Sequence, residues 1–263
     1  MGRSVLLDID GVLVVSWEPL PHAVDTVRWL EDQGIEFRLV TNTSSKTRSQ
    51  IVERLTGSGF GVHIEQVLTA VTSAARYLSE HHPGARCLVV NEGDLRQDLV
   101  GVEIVDAADA PSADVVLLGG AGPSVGYTQL DQAFKLALDG APVIALHRNT
   151  RFQTADGPAL DMGAFVVGLE AAADIDVTVV GKPAPSFFHA ALAGLDVEPE
   201  ETVMVGDDVE SDVLGAQAAG ITGVLVRTGK FRPSDLDAPG RPDHVIDDIG
   251  GLPQVLDHLT RGN

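Results

Sequence analysis

The chain has 263 residues, 44 % of them hydrophobic, and a formal net charge of −20 from 38 Asp and Glu against 18 Lys and Arg. That length and apolar content support one large α/β domain or a core with a smaller companion. The acidity excludes a nucleic acid or an anionic membrane as partner, because either needs a basic footprint.

The N-terminal "MGRSVLLDIDG" joins Arg3 to an apolar run, but Asp8 and Asp10 lie inside that run. No small-residue cleavage site follows, so it does not read as a signal peptide, and it lacks the Ser or Thr that myristoylation prefers. No segment reaches the roughly 20 uncharged apolar residues of a membrane span. A single cysteine, Cys87, excludes an internal disulfide and a multi-cysteine zinc site. It reads as a small buried apolar residue and favours a reducing compartment. The expected location is the cytoplasm.

Short β-branched runs alternate with amphipathic stretches. A strand over "VLL" at 5–7 is followed by a helix over 23–33, with Gly34 at the position of a C-cap, and a strand over "FRLV" at 37–40. A second helix is expected to start near "SSKT", with Ser44 or Ser45 as N-cap and Ile51, Val52 and Leu55 facing inward. This is the βαβ rhythm of a parallel sheet. Another α/β set follows, with strands at "CLVV", "VEIV", "DVVLLGG" and "PVIAL" and helices over "YTQLDQAFKLALDG" and "GAFVVGLEAA". The first rhythm then resumes: "VTVVG" (177–181), a helix over "PSFFHAALAGL", "TVMVG" (202–206), a helix over "SDVLGAQAAG", "GVLV" (223–226), and "HVI" before a last helix. The expected architecture is a doubly wound parallel α/β sheet core of residues 1–76 and 182–263, with a smaller α/β domain inserted at 77–181.

Within that insertion, "LLGGAGPSVGYTQL" has the strand, Gly-rich turn and helix of a dinucleotide site, and Arg148 could meet a 2′-phosphate. The spacing Gly120-x-Gly122-x-x-x-Gly126 departs from that fingerprint, and Pro123 removes an N–H from the turn. No nucleotide cofactor is expected. "HRNTRF" is a basic island in an acidic chain, which makes Arg148 and Arg151 candidate clamps for a substrate anion, against the plainer reading of solvent-exposed loop arginines.

The chemistry is written at strand ends. Residues i and i+2 of a strand share a face, so Asp8 and Asp10 project together past the first strand, into the crevice that a doubly wound sheet forms at its carboxyl edge. Two ionised carboxylates held there need a cation, and the expected one is Mg²⁺, which prefers oxygen ligands. Gly11 lets the backbone turn tightly and offers N–H groups to an anion. "LVTN" ends on Thr41 and Asn42, suited to phosphate oxygens. "VVGKP" ends on Lys182, able to neutralise a phosphoryl group and the attacking carboxylate. "MVGDDVESD" ends on Asp207 and Asp208, with Asp212 one helical turn later, supplying carboxylates for the metal and its surroundings.

These four segments, in this order, resemble the motifs of the haloacid dehalogenase superfamily of phosphotransferases. "DQAFKLALDGAP", "VVGKP" and "GDDVESDVLGAQAAG" resemble its subgroup with a large α/β cap, which includes the 4-nitrophenylphosphatase-like enzymes and the phospholysine phosphohistidine inorganic pyrophosphate phosphatase. The resemblance spans nearly the whole chain. It implies a Mg²⁺-dependent phosphatase acting on a small phosphate monoester, with Asp8 as the nucleophile that forms an aspartyl-phosphate and Asp10 as general acid and then base. It further implies Mg²⁺ held by the Asp8 carboxylate, the Asp10 main-chain carbonyl and the Asp207 carboxylate. Thr41, Asn42 and Lys182 would bind the transferring group, and Asp208 and Asp212 would orient metal waters or Lys182. Some members of the subgroup carry Ser where this chain has Asp10, and the aspartate favours a competent phosphatase. The cap is expected to set substrate choice, and the sequence leaves a homo-oligomer open. Two other readings of the same residues remain. A phospho-accepting receiver is a single domain of about half this length and needs neither acid/base partner nor cap. A carbon–halogen dehalogenase uses neither Mg²⁺ nor an acid at the Asp10 position.

Overall fold

The computed structural model describes residues 4–105, 112–154, 157–195, 197–236 and 240–261. Residues 1–3, on which the reading of the N-terminus partly rests, lie outside that range. In chain order the elements begin with β1 (Ser4–Asp8), β2 (Val14–Val15), β3 (Glu18–Pro19), α1 (Ala23–Asp32), β4 (Phe37–Thr41), α2 (Arg48–Gly57) and β5 (Val67–Thr69). They continue with α3 (Ala70–His81), β6 (Arg86–Val90), β7 (Glu103–Val105), β8 (Val115–Leu118), α4 (Tyr127–Leu138) and β9 (Val143–Ala145). Then come β10 (Arg151–Thr154), β11 (Gly157–Leu160), α5 (Met162–Ala173), β12 (Thr178–Val179) and α6 (Pro185–Leu192). The chain closes with β13 (Thr202–Gly206), α7 (Gly215–Ala218), β14 (Thr222–Val226), β15 (His244–Ile246) and α8 (Leu252–Arg261).

These elements divide into two compact units. The first holds residues 1–41, 48–68 and 182–263, and the second residues 42–47 and 69–181. A boundary at residue 77 falls inside α3, and the second unit takes the whole of that helix.

The first unit is built on a six-stranded sheet of order β15-β14-β13-β1-β4-β5. From β15 through β4 every neighbouring pair is parallel. Strand side chains alternate between faces, and β1 shows what that does. Val5 and Leu7 enter one apolar cluster with Val27 and Leu30 of α1, Leu55 of α2 and Leu256 of α8. Leu6 enters another, with Phe187 and Phe188 of α6 and Ala216 of α7. All three β1 residues are fully buried, each stabilising the fold by about 1.5–3 kcal/mol. The sheet is therefore doubly wound. The chain proceeds from β1 to β4 and β5 on one side and later occupies β13, β14 and β15 on the other, so strand order reverses between β1 and β13. A doubly wound sheet opens its ligand crevice at the carboxyl edge of that point.

The second unit carries a five-stranded parallel sheet, β12-β9-β8-β6-β7, and a separate antiparallel hairpin of β10 and β11. Its strands also bury both faces. Val116 and Leu118 meet Ala133 and Leu136 of α4 and Val166 of α5, while Val115 and Leu117 meet Val71 and Ala74 of α3. Cys87 lies in this second cluster, fully buried, and burial pushes its thiol up to about 12, which leaves it protonated and inert.

Two expected helices differ from the reading of the sequence. α2 opens at Arg48, not near Ser44 or Ser45. The Ser44 carbonyl instead accepts Asn91 Nδ2 at 3.1 Å, and its hydroxyl lies where a Cβ on Gly120 would stand. The helix expected over 211–220 is a π-helix over Val209–Leu214 that passes into the short α7.

Candidate active site

β1 and β13 pair in register with Leu7 beside Val205, so Asp8 and the Gly206–Asp207 step leave the sheet side by side at the reversal of strand order. On the other flank Asp8 is opposite Val40, which sets Thr41 one residue past it, buried. Lys182 begins the return of the chain into the first unit. Asp8 (5 % exposed), Lys182 (3 %), Asp207 (1 %) and Asp212 (1 %) are all withdrawn from water.

Lys182 Nζ is 2.6 Å from Asp8 Oδ1 and 2.7 Å from Asp212 Oδ1, so one ammonium bridges two carboxylates. Asp8, Asp207 and Asp212 each bring a carboxylate oxygen within 4.8 Å of the others. The π-helix accounts for Asp212. Asp208 Oδ1 accepts the N–H groups of Glu210 (3.1 Å) and Ser211 (3.0 Å), and the Asp208 N–H donates to Asp212 Oδ2 (3.2 Å). These bonds cap a stretch wound wider than an α-turn, a form common at functional sites. Gly206 is required here, since a Cβ on it would collide with the Asp212 side chain.

The electrostatics follow from crowding without water. Burial, then the charges of Asp8 and Asp212, push the Asp207 carboxyl up to about 8. Burial raises Asp212 to about 6 even against the attraction of Lys182. Asp8 is raised by burial, opposed by Lys182, with a smaller push from Asp10. Burial alone would lower Lys182, but Asp212 and Asp8 outweigh it and raise it. Three carboxyl groups share one buried ammonium, so ionising all of them calls for further positive charge. Asp207 Oδ1 is buried with no hydrogen-bond partner among the described residues, an expensive state for an acceptor. Both facts fit a divalent cation with oxygen ligands, a class that includes Mg²⁺.

The structure thus gathers Asp8, Lys182, Asp207, Asp208 and Asp212 in the first unit, with Thr41 at the neighbouring strand end. Asp10 is exposed, at a single bridge to Val14 just beyond β1. Asn42 follows Thr41 directly but belongs to the second unit. Arg148 is committed elsewhere: its Nη1 and Nη2 donate to Glu170 Oε1 (2.8 Å) and Oε2 (2.5 Å). Arg151 is an exposed residue at the start of β10. Sequence reasoning missed the segment after β14. Lys230 donates its main-chain N–H to Asp207 Oδ2 at 2.7 Å, and its Nζ is 3.6 Å from Asp208 Oδ2. The signal was present, because "TGVLV" followed by "RTGK" is one more apolar run that ends in polar residues.

Comparison with known proteins agrees with this geometry. The family model for haloacid dehalogenase-like hydrolases matches residues 5–105, and a second model of the same kind matches residues 179–252. The chain is 39 % identical over 259 residues to the haloacid dehalogenase-like hydrolase domain-containing protein 2 of Bos taurus, covering 98 % of this chain and 96 % of that one. It is 35 % identical to the phospholysine phosphohistidine inorganic pyrophosphate phosphatase of Danio rerio, covering 97 % and 94 %. Among solved structures, the glycerol phosphate phosphatase of Mycobacterium tuberculosis in complex with magnesium superposes with a TM-score of 0.86 at 28 % identity, covering 95 % of this chain and 76 % of that one.

Proposed function

The chain belongs to the haloacid dehalogenase-like hydrolases and is a phosphatase of that family, and from that premise we propose that it hydrolyses small phosphate monoesters with Mg²⁺, through a phosphoryl group carried on Asp8. The observation that carries this reading is the buried Asp8–Lys182–Asp212 bridge beside an Asp207 oxygen with no hydrogen-bond partner among the described residues.

Asp8 is the nucleophile. Lys182 holds its Oδ1 at 2.6 Å, which fixes the carboxylate's direction and opposes the effect of burial on its charge. As an Asp8 oxygen bonds to phosphorus, the ester P–O bond breaks, and protonated Asp10 gives its proton to the departing oxygen. Exposure of Asp10 suits a group that must exchange protons with solvent and then serve as base. In the second step Asp10 removes a proton from water as that oxygen bonds to phosphorus, the bond to Asp8 breaks, and inorganic phosphate leaves. Thr41, Asn42 and Lys182 bind the oxygens of the transferring group. The carboxylates of Asp8 and Asp207 and the main-chain carbonyl of Asp10 would hold Mg²⁺, with Asp208 and Asp212 orienting its surroundings. The bound ion supplies divalent charge that polarises the phosphoryl oxygens and offsets the mutual repulsion of the acids. The second unit sets which ester is accepted.

Phosphate release from 4-nitrophenyl phosphate tests the reading. Activity should disappear in EDTA and return with Mg²⁺, with Ca²⁺ a poor substitute because of its longer bonds and higher coordination number. Full turnover in excess chelator would overturn it.

A further inference from the structure

The loop after β14 takes no part in the mechanism above, yet it lies against the residues that do. Thr228 Oγ1 donates to the main-chain carbonyl of Gly11 at 2.5 Å. Two residues later the Lys230 N–H donates to Asp207 Oδ2 at 2.7 Å. Between them Gly229 has φ +63°, and a Cβ there would strike both Asp207 Oδ2 and, at 2.7 Å, the Gly11 Cα. Gly11 has φ +87°, and a Cβ on it would strike the same oxygen of Asp207. Two glycines from distant parts of the chain therefore enclose one carboxylate oxygen, and neither position admits a side chain.

The consequence is a division of labour within Asp207. Its Oδ2 is engaged by the loop, while Oδ1 is left buried and without a hydrogen bond among the described residues. A carboxylate gripped by one oxygen has one orientation to offer a cation through the other. The same loop grips the turn that carries Asp10, through Thr228. We infer that Thr228–Gly229–Lys230 is a positioning element for the cation site, which holds Asp207 in one orientation and fixes the Asp8–Gly11 turn to it. It acts through those residues and touches no reacting atom. The inference rests on the reading of Asp207 as a Mg²⁺ ligand.

The test is Mg²⁺ binding to the full, substrate-free chain by titration calorimetry. Outer partners of metal ligands are worth about 10–100-fold in affinity. Thr228→Val, which keeps shape and loses the hydroxyl, should raise the Mg²⁺ dissociation constant about 10-fold. Thr228→Ser should restore a value close to wild type. Thr260→Val removes a hydroxyl that donates to the Leu256 carbonyl on α8, and should leave the constant unchanged. Asp207→Asn separates the two readings. If Asp207→Asn binds Mg²⁺ as tightly as wild type, the ligand assignment fails; if it loses binding while folded Thr228→Val keeps the wild-type constant, only the loop inference fails. A second measurement needs no variant. The Lys230 amide resonance of the wild-type chain should move during Mg²⁺ titration in step with calorimetric binding, and an unmoved resonance overturns the inference even if Thr228→Val does not fold.

Discussion

Both units are parallel sheets with helices on two faces, and they differ in what their strands end on. β1 and β13 of the first unit run out into Asp8 and Asp207, charges that burial penalises and that crowd one another. β6 and β8 of the second run out into Asn91 and Gly119. Asn91 Oδ1 accepts the Gly120 N–H at 2.6 Å, and its Nδ2 donates to the carbonyls of Ser44 (3.1 Å), Glu92 (2.5 Å) and Gly93 (3.2 Å). Asp161 Oδ1 likewise accepts the N–H groups of Ala121 (3.1 Å) and Met162 (2.8 Å). Asn91 and Asp161 of the second unit are thus satisfied by main chain and serve the fold. Those of the first are left with unmet charge, a state that costs stability and that a ligand can offset. The same architecture is tuned at its strand ends for order in one unit and for chemistry in the other.

The contrast breaks most sharply at Asp8. Asp8→Asn keeps size and removes the nucleophile, so phosphate release should fall by on the order of 10⁴ or more, as expected for a residue without which the covalent step cannot start. Acid-quenched protein should carry no phosphoryl group. A phosphorylated Asp8→Asn chain would show that another residue is the nucleophile.

Asp10→Asn should cost less, about 10² to 10⁴ in turnover, the usual range for a general acid and base. Its signature is dependence on the leaving group. A 4-nitrophenolate departs with little protonation, so the first step should be slowed less for that ester than for an alkyl phosphate. Hydrolysis of the acyl phosphate still requires the base. Rapid quench should therefore show a burst followed by slow turnover with the aryl substrate. Equal losses on both esters, with no burst, would leave Asp10 a structural acid.

In the second unit the expected sign is reversed. Asn91→Ala strips four main-chain partners of their side-chain bond, and some remain buried. Unfolding in denaturant should lose about 1–3 kcal/mol, while the rate of the chemical step on 4-nitrophenyl phosphate should stay near wild type. A large loss of that rate with unchanged stability would assign Asn91 to the chemistry.

What the sequence made legible follows from the same contrast. An acid that interrupts a buried apolar run, as Asp8 does after "SVLL", has no packing reason to be there, so strand ends with chemistry stand out. Sheet strands were legible because β-branched runs such as "TVMVG" are short and bounded. The start of α2 was not, because Ser44 is held by Asn91 and lies beside Gly120, 47 and 76 residues away, and local capping preference cannot register such contacts. The π-helix was hidden because the apolar spacing of Val209, Val213 and Leu214 alone reads as α. Lys230 escaped although "TGVLV" before "RTGK" marks a strand end, because its bond to Asp207 comes from the main-chain N–H and not from the side chain.

The smallest effect sharpens the comparison at the surface of the second unit. Arg148 and Glu170 form a two-pronged ion pair, and Glu170 Oε1 also accepts the Val177 N–H at 3.1 Å. The hydrogen bond from Arg148 holds the Glu170 carboxyl below its ordinary value, against a small opposing effect of burial. A carboxyl lowered on folding contributes stability that is fully present above its unfolded pKa, near 4.5, and disappears as pH falls through the lower folded value. Arg148 is 44 % exposed, so solvent screens the pair and Arg148→Ala should cost only about 0.2–1 kcal/mol at neutral pH. That difference between wild type and variant should shrink towards zero as pH is lowered past 4.5, and should also shrink with added salt. Because Glu170 already fills the guanidinium fork, the ratio of kcat/KM for alkyl and aryl esters should not change in Arg148→Ala. A shifted ratio would mean that Arg148 leaves Glu170 for the substrate, and that this corner of the second unit serves specificity as well as order.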